Sequence, residues 1–120
     1  MAIEGKYLLS VGMDVEPAKE RLFNEVYDKE HVPELLKVPG VLSIARFKKR
    51  ELRMSIGGKV QEFVFENEPQ YACLYELRTP EVLTGAGWAE AVEKGRWPAQ
   101  VRPYTRNRRH ILYELVTPAK

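Results

Sequence analysis

Tyr27-Asp28-Lys29-Glu30-His31-Val32-Pro33-Glu34-Leu35-Leu36-Lys37-Val38-Pro39-Gly40-Val41 is the stretch on which the architecture turns. Pro33 disfavours helical geometry at Val32, so a helix arriving from upstream is expected to stop or kink beside His31, with Glu34 to Lys37 adding one further turn. Pro39-Gly40 then turns the chain into a strand. Upstream, Ala18, Leu22, Phe23, Val26 and Tyr27 share one side of that helix at helical spacing. Lys19 lies near the same side and has to snorkel. Asp14 to Pro17 supplies the start, with acidic residues near the positive end of the helix dipole and Pro17 at the first helical position.

Working outward, Lys6 to Met13 reads as a strand apolar on both faces: Tyr7, Leu9, Val11 and Met13 on one, Leu8, Ser10 and Gly12 on the other. Val41 to Phe47 is a second strand, in which Val41, Ser43, Ala45 and Phe47 oppose Leu42, Ile44 and Arg46. Gly57-Gly58 marks a tight turn, and Val60 to Glu66 alternates as a half-buried strand does, so Lys48 to Glu68 reads as a hairpin extension of the sheet. Gln70 to Arg78 is another strand apolar on both faces and takes a central place. Thr79-Pro80-Glu81 caps a second helix with a hydroxyl before a proline, and Val82, Ala86, Ala89 and Val92 form its inner stripe. Gly85 and Gly87 weaken that helix by about 1 kcal/mol each relative to Ala, and Gly95 ends it. Arg96 to Tyr104 is irregular, and Arg106 to Val116 is the last strand.

The order β, α, β, hairpin, β, α, β gives an α+β ferredoxin-like βαββαβ sandwich, a four-stranded antiparallel sheet with both helices on one face. A chain of 120 residues holds one such domain, spanning residues 1–120. The helices cover one face only, while the first and third strands are apolar on both, so a second copy of the sheet is the simplest cover and a homodimer is expected.

The charged helix ending in Tyr27-Asp28-Lys29-Glu30-His31-Val32-Pro33, followed by Leu36, Pro39-Gly40-Val41 and a strand with Arg46, resembles the EthD-like branch of the dimeric α/β-barrel superfamily. The resemblance covers the whole β and α plan, and its specific part is about fifteen residues. It implies a barrel of two sheets and a cavity between sheet and helices for a small organic molecule. It sets no single chemistry, since cofactor-independent monooxygenases, lactone isomerases, polyketide cyclases and dehydratases share the fold. The Lys48 to Glu68 insertion and the proline-broken segment after Gly95 depart from the pattern and bear on the cavity mouth.

With 19 basic and 17 acidic residues the net charge is +2, too balanced to demand a nucleic acid or an anionic membrane. Arg102, Arg106, Arg108 and Arg109 gather around Tyr104, but strand alternation splits Arg108 from Arg109, which favours a solvated face over a nucleic-acid surface. No apolar run approaches the ~20 residues of a membrane span. Lone Cys73, central in a strand, makes no internal disulfide, and the chain lacks a signal peptide's apolar run, so a cytoplasmic setting is the default. Two distant histidines and one cysteine do not make a metal site, and there is no phosphate loop, no nucleophile elbow and no dinucleotide fingerprint, so no cofactor is expected.

His31 leads the catalytic candidates because imidazole moves protons near neutral pH. It continues the Phe23 and Tyr27 line and can look into the space between helix and sheet, or simply cap the last carbonyls of its helix. Arg46, within a strand, either faces inward opposite His31 to hold a carboxylate or enolate-like oxygen, or lies in solvent on an edge; His110 has the same two options. Tyr27, Tyr7 and Tyr75 offer phenols to a ligand while packing as hydrophobes, and Trp88, like Trp97, walls a pocket or locks its helix to the sheet. The expectation is a cofactor-free enzyme of oxygenase, isomerase or cyclase type acting on a modest aromatic or cyclic metabolite, or else a non-catalytic ligand-binding or protein-interaction module of the same fold.

Overall fold

The computed structural model describes residues 5–120. Six strands are present: β1 (Tyr7–Val15), β2 (Val41–Lys48), β3 (Leu52–Ile56), β4 (Lys59–Phe63), β5 (Tyr71–Leu77) and β6 (Thr105–Glu114). Four of them form an antiparallel sheet in the order β2-β5-β1-β6, so β1 and β2 flank β5 while β5 and β6 flank β1. Two interleaved crossovers of this kind are the ferredoxin-like α+β sandwich expected from the element order. β3 and β4 pair only with each other. The insertion is therefore a separate two-stranded arm and not an extension of the sheet: it leaves from the end of the β2-β5 ladder, where Lys49 N–H bonds Gln70 O and Lys49 Nζ bonds Glu68 O, before its own pairing begins.

Leu9, Val11, Met13 and Val15 of β1 face the same side as Tyr71, Cys73, Tyr75 and Leu77 of β5, and all eight are buried beneath the helices. The N-terminal helical segment begins as a short 3-10 turn over Pro17–Lys19, continues as α1 (Glu20–Val26), and does not stop at Pro33. It widens into a π-helical turn over Tyr27–His31 and runs on as α2 (Val32–Leu36). Proline has no N–H to give the carbonyl four residues back, and shifting the ladder by one residue, so that Val32 N–H bonds Tyr27 O, accommodates it without ending the helix. The wider turn also keeps Phe23, Tyr27 and His31, spaced four apart, pointing inward, where the 3.6-residue period would let them drift round the axis. Lys19 snorkels as expected, its Nζ lying 4.5 Å from the centroid of the Tyr104 ring.

Val38 to Val41 closes a β-turn in which Val41 N–H bonds Val38 O. Gly40 sits there at φ +95°, and a Cβ would meet Val82 Cγ2 at 2.4 Å, so both the backbone and the packing require glycine. A bulge after Val41 changes the phase of β2: Val41 pairs with Leu77, yet Ser43 pairs with Glu76. Val41, Ile44 and Arg46 consequently share the helix side, in place of the strict alternation read from the sequence.

The second helix is broken. A 3-10 turn covers Pro80–Thr84, Gly85 is extended, and α3 occupies only Ala86–Ala91. Thr79 makes no side-chain capping bond. The expected stripe is accordingly split, with Val82 and Val92 packed on the core, Ala86 and Ala89 exposed, and Trp88 and Ala91 turned inward instead. A second π turn at Trp97–Val101 buries Trp97 and Val101 before β6.

Candidate functional site

Between the helix side of the sheet and the helical layer lies a cavity of about 470 Å³, within the ~300–1,000 Å³ range of small-molecule sites. Leu9, Val11 and Met13 of β1 form its floor. The π turn contributes Tyr27 and His31, the second π turn contributes Trp97, and the broken second helix contributes Leu83, Trp88 and Val92. Tyr75 enters from β5. The mouth lies along β6, where Arg108 and His110 are exposed and Arg102 is half-buried.

His31 is 6% exposed and stacks on Trp97 with ring centroids 4.2 Å apart and planes at 19°. Tyr27 meets it edge-on at 5.1 Å. His31 Nδ1 is sealed from solvent and has no hydrogen-bond partner, which leaves Nε2 as the nitrogen available to the cavity. Burial, helped by the positive charges of Arg102 and Arg108 and opposed by Glu93, lowers the His31 pKa to about 4. The ring is therefore neutral at pH 7, able to accept a proton or a hydrogen bond. Burial and Arg108 lower the pKa of His110 as well.

Tyr27 and Tyr75 join through their hydroxyls at 3.2 Å, and burial raises both phenols far above the ordinary tyrosine range. Trp88 lies edge-on to Tyr75, with ring centroids 5.5 Å apart. His31, Tyr27, Tyr75 and Trp88 thus come together around one space. Arg46 does not join them. Its guanidinium bonds Asp28 Oδ1 and Asn24 Oδ1, each at 2.8 Å, and lies 4.4 Å from the centroid of the Tyr27 ring. It borders a separate depression with Asn24, Asp28 and Tyr71, so it stands neither opposite His31 nor in open solvent: the bulge in β2 turns it onto the helix side, where Asn24 of α1 and Asp28 of the π turn are its partners. Tyr7 packs half-buried against the core at the start of β1 and is not in the cavity lining.

Arg102 and Arg108, grouped from the sequence with a solvated basic face, both reach the mouth. Arg102 is held by Glu93 at 2.7 Å and by the Val92 carbonyl at 2.7 Å. The alternation that parts Arg108 from Arg109 also places Arg108 on the same face as His110, and this was the signal available for it. Glu30 fixes the wall by accepting bonds from the Arg96 backbone and side chain at 2.9 and 2.6 Å, tying the first π turn to the segment that carries Trp97. Among the described residues no group of three His, Cys, Asp or Glu side chains gathers to hold a metal, and no helix is long and apolar enough to cross a membrane.

The fold is the ferredoxin-like α+β fold. An ethyl tert-butyl ether D (EthD) family protein from Bacillus halodurans superposes with a TM-score of 0.54 at 13% identity, covering 92% of this chain and 99% of that one. The heme-degrader MhuD from Mycobacterium tuberculosis, with two hemes in its active site, superposes with a TM-score of 0.58 at 13% identity over 95% of this chain and 99% of its own. A variant of MhuD with two manganese protoporphyrins per site gives 0.59, also at 13% identity, over 95% and 98%. At such identity the likeness defines the fold and not the chemistry. No family model matches the chain, and no curated protein is detectably similar to it in sequence.

Proposed function

We propose that this protein binds a small aromatic or cyclic, partly apolar molecule in the cavity between sheet and helices. The observation that carries this reading is the buried, neutral imidazole of His31 on the wall of a space lined, inside its charged mouth, by aromatic and aliphatic side chains. Nε2 of the same ring is the polar atom a ligand in the cavity can bond, a hydrogen bond worth on the order of 1 kcal/mol net. In a catalytic cycle His31 acts as the general base or acid, and the Tyr27 and Tyr75 hydroxyl pair holds a carbonyl or phenolate oxygen. Arg46 supports Tyr27 from behind and takes no part in binding. The working form is a homodimer, joined through the sheet face that the helices leave bare, and the single free Cys73, buried in β5, suits a cytoplasmic setting.

One feature favours binding without catalysis: Nδ1 of His31 lacks the carboxylate or carbonyl that orients a catalytic imidazole. Porphyrins occupy two of the similar structures, and a neutral histidine beside an apolar cavity also fits the donor that heme iron requires. Both tryptophans of the chain, Trp88 and Trp97, line the cavity, so their fluorescence reports its occupancy directly. A panel of aromatic and alicyclic metabolites together with hemin, read by tryptophan quenching and thermal shift and repeated on His31→Ala, tests the proposal. Occupancy by at least one small metabolite, weakened in the variant, is expected. Turnover unchanged in His31→Ala removes the proposed base, and quenching by hemin alone transfers the site to a porphyrin.

A further inference from the structure

Resting on the binding reading above, we infer that the ligand is an acid: an aromatic or alicyclic monocarboxylate whose carboxylate is received by Arg108 at the cavity mouth, while its ring lies against Trp88 and Trp97. Charge in the lining is unequally committed. The guanidinium of Arg102 is neutralised by Glu93 and saturated further by the Val92 carbonyl. That of Arg46 is engaged by Asp28 and Asn24 outside the cavity. Arg108 lines the mouth with no hydrogen bond, ion pair or ring contact among the described residues.

The backbone isolates this one cation. Around Asn107, which takes φ 52°, β6 bulges between the pairs Gly12 with Arg109 and Asp14 with Arg106. Asn107 is pinned there by Asp14 Oδ2 at 3.0 Å and the Asn67 carbonyl at 2.9 Å. Without the bulge, Arg106 would follow Arg108 and His110 onto the cavity side; with it, Arg106 pairs with Asp14 on the opposite face. Of the two arginines that line the cavity, Arg102 and Arg108, a single one is then left without a carboxylate partner. One guanidinium matches a planar carboxylate through two parallel N–H bonds. Among the described residues that line the cavity there is no second lysine or arginine free of an ion pair to help hold a phosphate. Deeper in, Nε2 of His31 and the Tyr27 and Tyr75 hydroxyls remain for a second oxygen on the ring.

The test compares 2-naphthoate with 2-naphthamide, alike in shape but one anionic and the other neutral, by quenching of the two cavity tryptophans in the wild type, Arg108→Ala and Arg108→Lys. Naphthoate is expected to bind about tenfold or more tightly than the amide, with an affinity that falls as salt rises. Arg108→Ala should bring the two Kd values together by weakening naphthoate much more than the amide, and Arg108→Lys should retain part of the difference. Equal Kd values in the wild type, or a preference for the acid that survives Arg108→Ala, overturn the inference while leaving the binding reading in place. Absence of quenching by either probe at millimolar concentration overturns both. Because Arg108 is exposed and makes no contact the fold requires, its variants are expected to fold, which an unchanged thermal midpoint without ligand verifies.

Discussion

At the scale of the residue, His31 couples the cavity to stability. Its folded pKa of about 4 lies below the unfolded 6.5, so between those values the unfolded chain binds the extra proton. The sign follows: stability from the neutral ring is present above about pH 6.5 and is lost as pH falls towards 4, a contribution on the order of 3 kcal/mol. Its causes are burial first, then Arg102 and Arg108, with Glu93 acting in the other direction. His31→Phe keeps the aromatic stack on Trp97 and cannot titrate. Urea titrations across this range should show the wild type losing on the order of 2–3 kcal/mol more than the variant; parallel pH profiles would mean the ring is not held neutral. The residue types at this site were legible in the sequence, since His31 and Tyr27 follow one helical line. The placement of Arg46 was not, because it depends on a one-residue bulge that no side chain in β2 announces.

At the scale of the element, proline did something other than terminate. Pro33 was readable as a perturbation, but whether a helix ends, kinks or widens depends on what its inner face packs against. Here Phe23, Tyr27 and His31 all find burial, and packing outweighs the local penalty. The broken second helix shows the reverse. Gly85 and Gly87 lower the helix propensity, and Trp88 gains more by turning to the cavity than Ala89 would. The β3 and β4 arm keeps Leu52, Met54 and Ile56 exposed, and the radius of gyration of 16.0 Å exceeds the ~13.6 Å of a compact chain of this length. Since the arm contributes nothing to the core cluster, replacing residues 50–66 with a short Gly-Ser linker should move Tm by less than about 3 °C and leave tryptophan quenching by cavity ligands intact. A loss of cooperative melting would show that the arm supports the domain.

For the whole molecule, the sheet has one covered face and one bare. Phe47, Ile111 and Tyr113 are exposed on the bare side, with Leu8, Ala45 and Leu74 half-buried between them. A contiguous apolar face across four strands is the kind of surface a second copy covers. Phe47→Glu combined with Ile111→Glu places like charges on the two edge strands of that contact, β2 and β6. Light scattering is expected to give twice the 13.9 kDa chain mass for the wild type and a single chain mass for the double variant. A wild-type monomer would show that the face stays wet.

The sequence alone determined the order of elements, the sheet that follows from it and the two-sided strands, because hydrophobic periodicity and turn chemistry act over a few residues. It also carried Tyr27, His31, Tyr75 and Trp88 as a candidate set. Only the tertiary structure decided which polar groups meet. Arg46 is drawn to Asp28 across the helix-sheet junction, Arg102 is spent on Glu93, and Arg108 is left at the mouth. Such outcomes depend on bulges and π turns that shift a side chain by one position, and those are selected by packing between segments far apart in the chain, which no local pattern encodes.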